Sequence, residues 1–160
     1  MERMEHDKVI PIAEDDAGHS LLMTRNFRRA GITNEIIHFA DGQNLLDFLF
    51  LRHKTLIRDP QVPYILLCDI RMPGVDGMEI LQQIKADEQL RTMPVIMISM
   101  TDEPDVVREC YRLGCNFYIT KPVDHTEFID VLGKLAKFIA QPSVKFSAMS
   151  LVSHKEKTQY

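Results

Sequence analysis

The chain has 160 residues, 45% apolar and 26% charged, with a net charge of -4 and an isoelectric point near 5.8. That length suits one domain with a real core plus a short tail, and the acidic balance gives no electrostatic reason to expect nucleic acid or an anionic membrane as partner. No apolar run approaches the roughly 20 residues of a membrane span, the start from Met1 to Lys8 lacks the apolar core of a signal peptide, and Cys68, Cys110 and Cys115, odd in number and without a CxxC spacing, point to free thiols in a reducing cytoplasm.

Val9 to Ala13 reads as a first strand that ends in Glu14, Asp15 and Asp16. Asp16 suits the N-cap of a helix over 17–30, with Met23, Phe27 and Ala30 at helical spacing and Gly31 as its stop. Pro11 cannot donate to a sheet ladder, so a local irregularity near Glu14 is expected. Glu35 to Ala40 is a weaker second strand, and Asp41-Gly42 turns into a helix carrying Leu45, Leu46, Leu49 and Phe50. The polar stretch from Arg52 to Pro63, with two prolines, reads as a long loop. Tyr64 to Asp69 is a short apolar run bounded by turn residues, as expected of a strand buried on both faces. A Pro-Gly-x-Asp-Gly turn, Pro73 to Gly77, leads into a helix from Met78 to Asp87 with Leu81 and Ile84 inward. Pro94 to Ser99 is a fourth strand, and its helix starts near Pro104, a favoured first-turn residue, with Val106, Cys110 and Leu113 marking its buried side before Gly114. Asn116 to Thr120 is a fifth strand, followed by Lys121-Pro122. Asp124 and Glu127 open the last helix as a capping box does, and Phe128, Val131, Leu132, Leu135, Phe138 and Ile139 give it a 3.6-residue stripe.

Strands alternating with helices imply an α/β fold, a mostly parallel, doubly wound sheet covered on both faces. The folded domain is expected over 1–140, and 141–160, rich in Ser, Lys and Thr, as a flexible tail. In such a sheet all strand C-termini share one rim, where ligands bind. Glu14 and Asp15, Asp69, Ser99 and Lys121 would meet there. Two carboxylates about 4 Å apart repel by roughly 4 kcal/mol at an effective dielectric of 20. Either a raised pKa or a cation must offset that, and hard carboxylate oxygens with room for water suit Mg²⁺. Singly, each residue has a plainer reading: Asp16 as a cap, Asp76-Gly77 as a turn, Tyr118 as core, Cys68 as a small buried hydrophobe.

Four motifs occur in order at the strand ends: the acidic pair Glu14-Asp15, Asp69 followed by Met72-Pro73-x-x-Asp76-Gly77, Ser99, and Lys121-Pro122. Together they resemble the receiver domain of two-component response regulators. The long segment before the third strand and the run Asn116 to Val123 are also similar to the stand-alone regulators that partner bacterial phytochromes. The resemblance implies a flavodoxin-like five-stranded sheet of order 2-1-3-4-5 with five helices. It implies a single-domain regulator without an output domain, and not a turnover enzyme. Asp69 would be the phosphoacceptor, taking its phosphoryl group from a phosphohistidine of a sensor histidine kinase, with a bacteriophytochrome as a candidate. Mg²⁺ would be held by Glu14, Asp15, Asp69 and the main-chain carbonyl of Arg71. Lys121 would pair with phosphoryl oxygens, Ser99 would bond the attached group, and Tyr118 would change rotamer as the Ser99 loop moves. The face of helix four, strand five and helix five would serve output or a homodimer contact, with no nucleic acid or membrane involved.

Two positions depart from the family pattern. Arg71 places a long cation where it can shield an acyl phosphate from water, and Met100 is bulkier than the small residue often found after the hydroxyl. Arg71 also argues against an aspartate-nucleophile phosphohydrolase, which uses a second acid at that place. Glu14-Asp15-Asp16 argues against a flavin carrier, which needs a phosphate-cradling loop there. The alternative kept open is a phosphate-independent, receiver-like interaction module.

Overall fold

The computed structural model describes residues 8–141. Five strands, β1 (Ile10–Ala13), β2 (Ile36–Phe39), β3 (Leu66–Cys68), β4 (Val95–Ser99) and β5 (Phe117–Thr120), alternate with five helices. The helices are α1 (Ala17–Arg29), α2 (Gly42–Leu49), α3 (Gly77–Ala86), α4 (Pro104–Leu113) and α5 (His125–Ile139). All strand pairs are parallel and the order is β2-β1-β3-β4-β5, the flavodoxin-like arrangement. The tail expected from 142 onward lies outside the described residues.

Strand periodicity sorts the core into two layers. Ile10, Ile12, Leu67, Ile96, Ile98, Phe117 and Ile119 face α1 and α5, meeting Met23, Phe27, Phe128 and Leu132. Ala13, Leu66, Cys68, Val95 and Met97 face the other way, meeting Leu45, Leu49, Ile80, Ile84 and Val107 from α2, α3 and α4. Four helices start on an aspartate whose side chain accepts a main-chain N–H of the first turn: Asp16 from His19, Asp41 from Asn44, Asp76 from Glu79 and Asp124 from Glu127. The exception, α4, relies on Pro104 at its start and ends on Gly114 with φ of 107°.

Several boundaries differ from the sequence reading. The irregularity expected near Glu14 sits instead at Pro11. Val9 turns both its N–H and its C=O toward the third strand, bonding Pro63 and Ile65, so alternation puts Pro11 on that same side. The β1–β3 ladder breaks there, between the Val9–Tyr64 bridge and the Ile12–Leu67 pair, with no slip in register. Glu14 itself is regular, its N–H donating to Phe39 O at 3.0 Å. Ala30 is the exposed C-cap of α1 rather than core, and α2 ends at Leu49, with Phe50 as cap and Phe48 in the core. On α4 the buried pair is Val107 and Cys110, while Val106 and Leu113 are half-buried. Both 106 and 107 lie one turn before 110, so periodicity alone does not separate them. The stretch 52–63 holds no helix or strand, as expected. Buried Arg58 ties it down, donating from Nε to Leu49 O at 2.8 Å.

Gly77 matters to the site because a Cβ there would stand 2.2 Å from the main-chain oxygen of Asp69. Its N–H bonds Ile70 O at 2.8 Å, so α3 begins directly against the loop that carries Asp69. By contrast, nothing lies within 4 Å of a Cβ at Gly133, inside α5. Urea denaturation should therefore show opposite signs: Gly77→Ala loses about 1–3 kcal/mol to overpacking, whereas Gly133→Ala gains about 0.5–1 kcal/mol of helix stability.

Candidate functional site

The C-terminal ends of β1, β3, β4 and β5 bring Glu14, Asp69, Ser99 and Lys121 to one rim. All four are buried: Glu14 is 1%, Ser99 1%, Lys121 3% and Asp69 7% exposed. Asp15, the next residue after Glu14, is exposed. Parallel pairing sets this convergence, since β4 and β5 run in register with Ser99 opposite Thr120, and Lys121 N–H donates to Ser99 O at 2.7 Å.

The Lys121 ammonium is the centre. Nζ donates to Glu14 Oε2 at 2.5 Å and to Asp69 Oδ2 at 2.9 Å, and His19 Nδ1 lies 3.3 Å away. Burying a cation is tolerable only with such partners. Glu14 is fixed from every side. Its N–H is taken by Phe39, its carbonyl accepts from His38 Nε2 at 2.8 Å, and its Oε1 accepts the Asp16 N–H at 3.1 Å. Asp69 is fixed likewise: its N–H donates to Ala13 O at 2.9 Å, and its Oδ1 accepts the Arg71 N–H at 3.4 Å. Burial pushes the Glu14 carboxyl up to about 7, the Lys121 ammonium offsetting only part of that and the Asp69 charge adding to it. With Asp15 beside them, three carboxylates stand around one ammonium at this rim.

The carboxylates offer a metal-sized donor set. One oxygen each from Glu14, Asp15 and Asp69 can be chosen so that all lie within 4.8 Å of one another. These are hard oxygen donors, and exposed Asp15 leaves a side open to water. That chemistry fits Mg²⁺, which keeps several waters when bound by carboxylates.

Of the remaining predicted residues, Arg71 reaches the cluster only through its main-chain N–H, and its side chain is exposed. Met100, 56% exposed, stands on the loop after Ser99. Tyr118 does not join the carboxylates. It is buried in β5, and its hydroxyl donates to Thr101 O at 2.5 Å, tying down the same loop. Cys68 donates from Sγ to Asp69 O at 3.3 Å, and burial raises its thiol well above the ordinary value, which keeps it inert. Sequence reasoning missed His19 and His38. His19 sits in the first turn after the Asp16 cap and so faces the rim, a signal readable from helix geometry, whereas the His38 contact needs the strand pairing.

Comparison with known proteins agrees with this geometry. The model of the response regulator receiver domain matches residues 10–133. The probable methanogenesis regulatory protein FilR2 of Methanothrix harundinacea is 38% identical over 115 residues, 72% of each chain. The response regulator Rcp1 of Synechocystis sp. is 32% identical over 114 residues, 71% of this chain and 76% of that one. A response regulator receiver domain from Rhodospirillum rubrum superposes with a TM-score of 0.77 at 37% identity, covering 82% and 93% of the two chains. The Mn²⁺-bound form of Rcp1 does so with a TM-score of 0.75 at 27% identity, covering 82% and 93%. The bacteriophytochrome response regulator RtBRR gives 0.65 at 33% identity, covering 78% and 74%.

Replacing Lys121 by Met leaves Glu14 and Asp69 buried without a cation. In metal-free alkaline buffer, urea denaturation should register a loss of about 3 kcal/mol or more, and adding a divalent cation should recover part of it. An unchanged midpoint would mean that the ammonium does not hold this rim together.

Proposed function

Because the chain belongs to the response regulator receiver domain family, we propose that Asp69 accepts a phosphoryl group from a sensor histidine kinase in a Mg²⁺-dependent reaction. Residues 1–140 form the receiver unit on this reading. The observation that carries the proposal is the buried ammonium of Lys121 spanning Asp69 and Glu14 beside exposed Asp15.

Phosphoryl transfer needs alignment and charge neutralisation more than covalent assistance. A carboxylate oxygen of Asp69 forms the new O–P bond. The donor's P–N bond breaks, its electron pair returning to the imidazole nitrogen. The Ala13 and Arg71 contacts hold Asp69 still for that approach. Glu14, Asp15, Asp69 and the main-chain carbonyl of Arg71 would hold Mg²⁺, which would neutralise charge on the phosphoryl oxygens. Lys121 exchanges its bond to Asp69 for one to a phosphoryl oxygen. Ser99, at the end of β4, then has an acceptor that exists only in the phosphorylated state. Drawing Ser99 inward pulls on the loop through Thr101, whose carbonyl the Tyr118 hydroxyl holds. Contacts present in one state alone are what shift a two-state surface. The α4–β5–α5 face next to that loop is the output surface, and a homodimer is one way to use it.

Receiver-domain regulators are signalling proteins rather than turnover enzymes. The likeness to the bacteriophytochrome response regulator RtBRR supports a phytochrome-type kinase as the phosphoryl source. Among the described residues no helix is long and apolar enough to cross a membrane, in keeping with a cytoplasmic site of action.

Intact-mass analysis after incubation with Mg²⁺ and a small phosphodonor tests the reading. The parent should gain one phosphoryl group, and Asp69→Asn, or the parent in chelator, should gain none. No gain in the parent, even with candidate kinases, would favour a phosphate-independent module. Arg71→Ala should shorten the lifetime of the phosphorylated form several-fold, because its side chain no longer screens the acyl phosphate. An unchanged decay would remove that role from Arg71.

A further inference from the structure

An ammonium has three N–H donors and no lone pair. Lys121 has three acceptors: Glu14 Oε2, Asp69 Oδ2 and His19 Nδ1. Since the ammonium can only donate, the His19 ring must present a bare Nδ1 and carry its proton on Nε2. Lys121 is almost wholly buried, so an N–H left without its partner has little water to turn to, and that is costly for a cation.

His19 is placed by contacts that do not involve Lys121. Its main-chain N–H donates to Asp16 Oδ1 at 3.0 Å, locking it in the first turn of α1. Its ring meets Phe128 of α5 edge-on, with centroids 5.9 Å apart. The same Nδ1 lies 3.7 Å from Glu14 Oε1, so the ring borders both partners of the ion pair.

We propose that His19 is a positioning residue for phosphoryl transfer, holding the Lys121 ammonium through Nδ1 while the other two acceptors change. This rests on the receiver reading. Glu14 and Asp69 are the groups whose charge is altered by metal uptake and by phosphorylation of Asp69. His19 is the one acceptor that neither event alters. With it, Lys121 can release Asp69 and swing to a phosphoryl oxygen about a fixed point. Without it, the ammonium settles between the two carboxylates and stays bonded to Asp69 Oδ2.

The test uses the whole chain with Mg²⁺ and phosphoramidate, comparing the parent with His19→Leu and His19→Asn. Leu keeps the packing on Phe128 without an acceptor, and the Asn side-chain oxygen stands near the place of Nδ1. Phosphorylation of the Leu variant should slow about tenfold and that of the Asn variant should stay within about threefold of the parent. Nitrogen-15 spectra of the parent should show Nδ1 bare and Nε2 protonated. A Leu variant as fast as the parent, equal slowing of Leu and Asn, or a proton on Nδ1 would each overturn the inference. A parent that takes up no phosphoryl group counts against the receiver reading instead, and the nitrogen spectrum then decides the His19 contact by itself.

Discussion

The structure is arranged around the problem of keeping a lysine ammonium in a dry place. Lys121 is buried together with Glu14 and Asp69, and its bonds to them, at 2.5 and 2.9 Å, join the ends of β5, β1 and β3 across the middle of the sheet. Removing Lys121 leaves two buried carboxylates without their cation, and such a deletion is among the most damaging a fold can suffer. The cluster is also unbalanced, since the carboxylates of Glu14, Asp15 and Asp69 gather around a single ammonium. A site in that condition gains from a divalent cation and can then accept a further anionic group. On the proposed function, stability and receptivity to phosphate come from the same carboxylates.

The fold delivers these groups with little freedom. Parallel pairing through β1, β3, β4 and β5 fixes which residue ends each strand. Gly77 lets α3 begin against the Asp69 backbone, and the Asp16 cap turns the first turn of α1 over the rim, carrying His19 with it. Tyr118 lies outside the ion cluster but on the path outward, because its hydroxyl holds the carbonyl of Thr101 two residues past Ser99. On the proposed function, charge added at Asp69 is joined to the α4–β5–α5 face through this loop.

Much of this was legible in the sequence, and for a physical reason. Strand ends in a parallel sheet share a rim, so Glu14, Asp69, Ser99 and Lys121 could be brought together without any coordinates. The Asp16 and Asp124 caps were legible because capping is a local matter. What failed depended on tertiary rotation or on pairing. Val106 and Val107 are equivalent by spacing, and only packing against the sheet chose Val107. Pro11 disturbs the side of β1 that faces β3, and which neighbour a given residue turns its main-chain groups toward is set by the pairing itself. His38 reaches Glu14 only because β2 lies beside β1.

The central claim is that Lys121, Ser99 and Tyr118 form one linkage, driven by charge placed on Asp69. A crystal structure with Mg²⁺ and beryllofluoride, a stable mimic of the phosphoryl group, examines it directly. In that complex a metal should lie among Glu14, Asp15 and Asp69, Lys121 and Ser99 should each bond fluorine, and the Tyr118 hydroxyl should have parted from Thr101 O. Beryllofluoride seated on Asp69 with Lys121 still on its two carboxylates and Tyr118 still on Thr101 would contradict it.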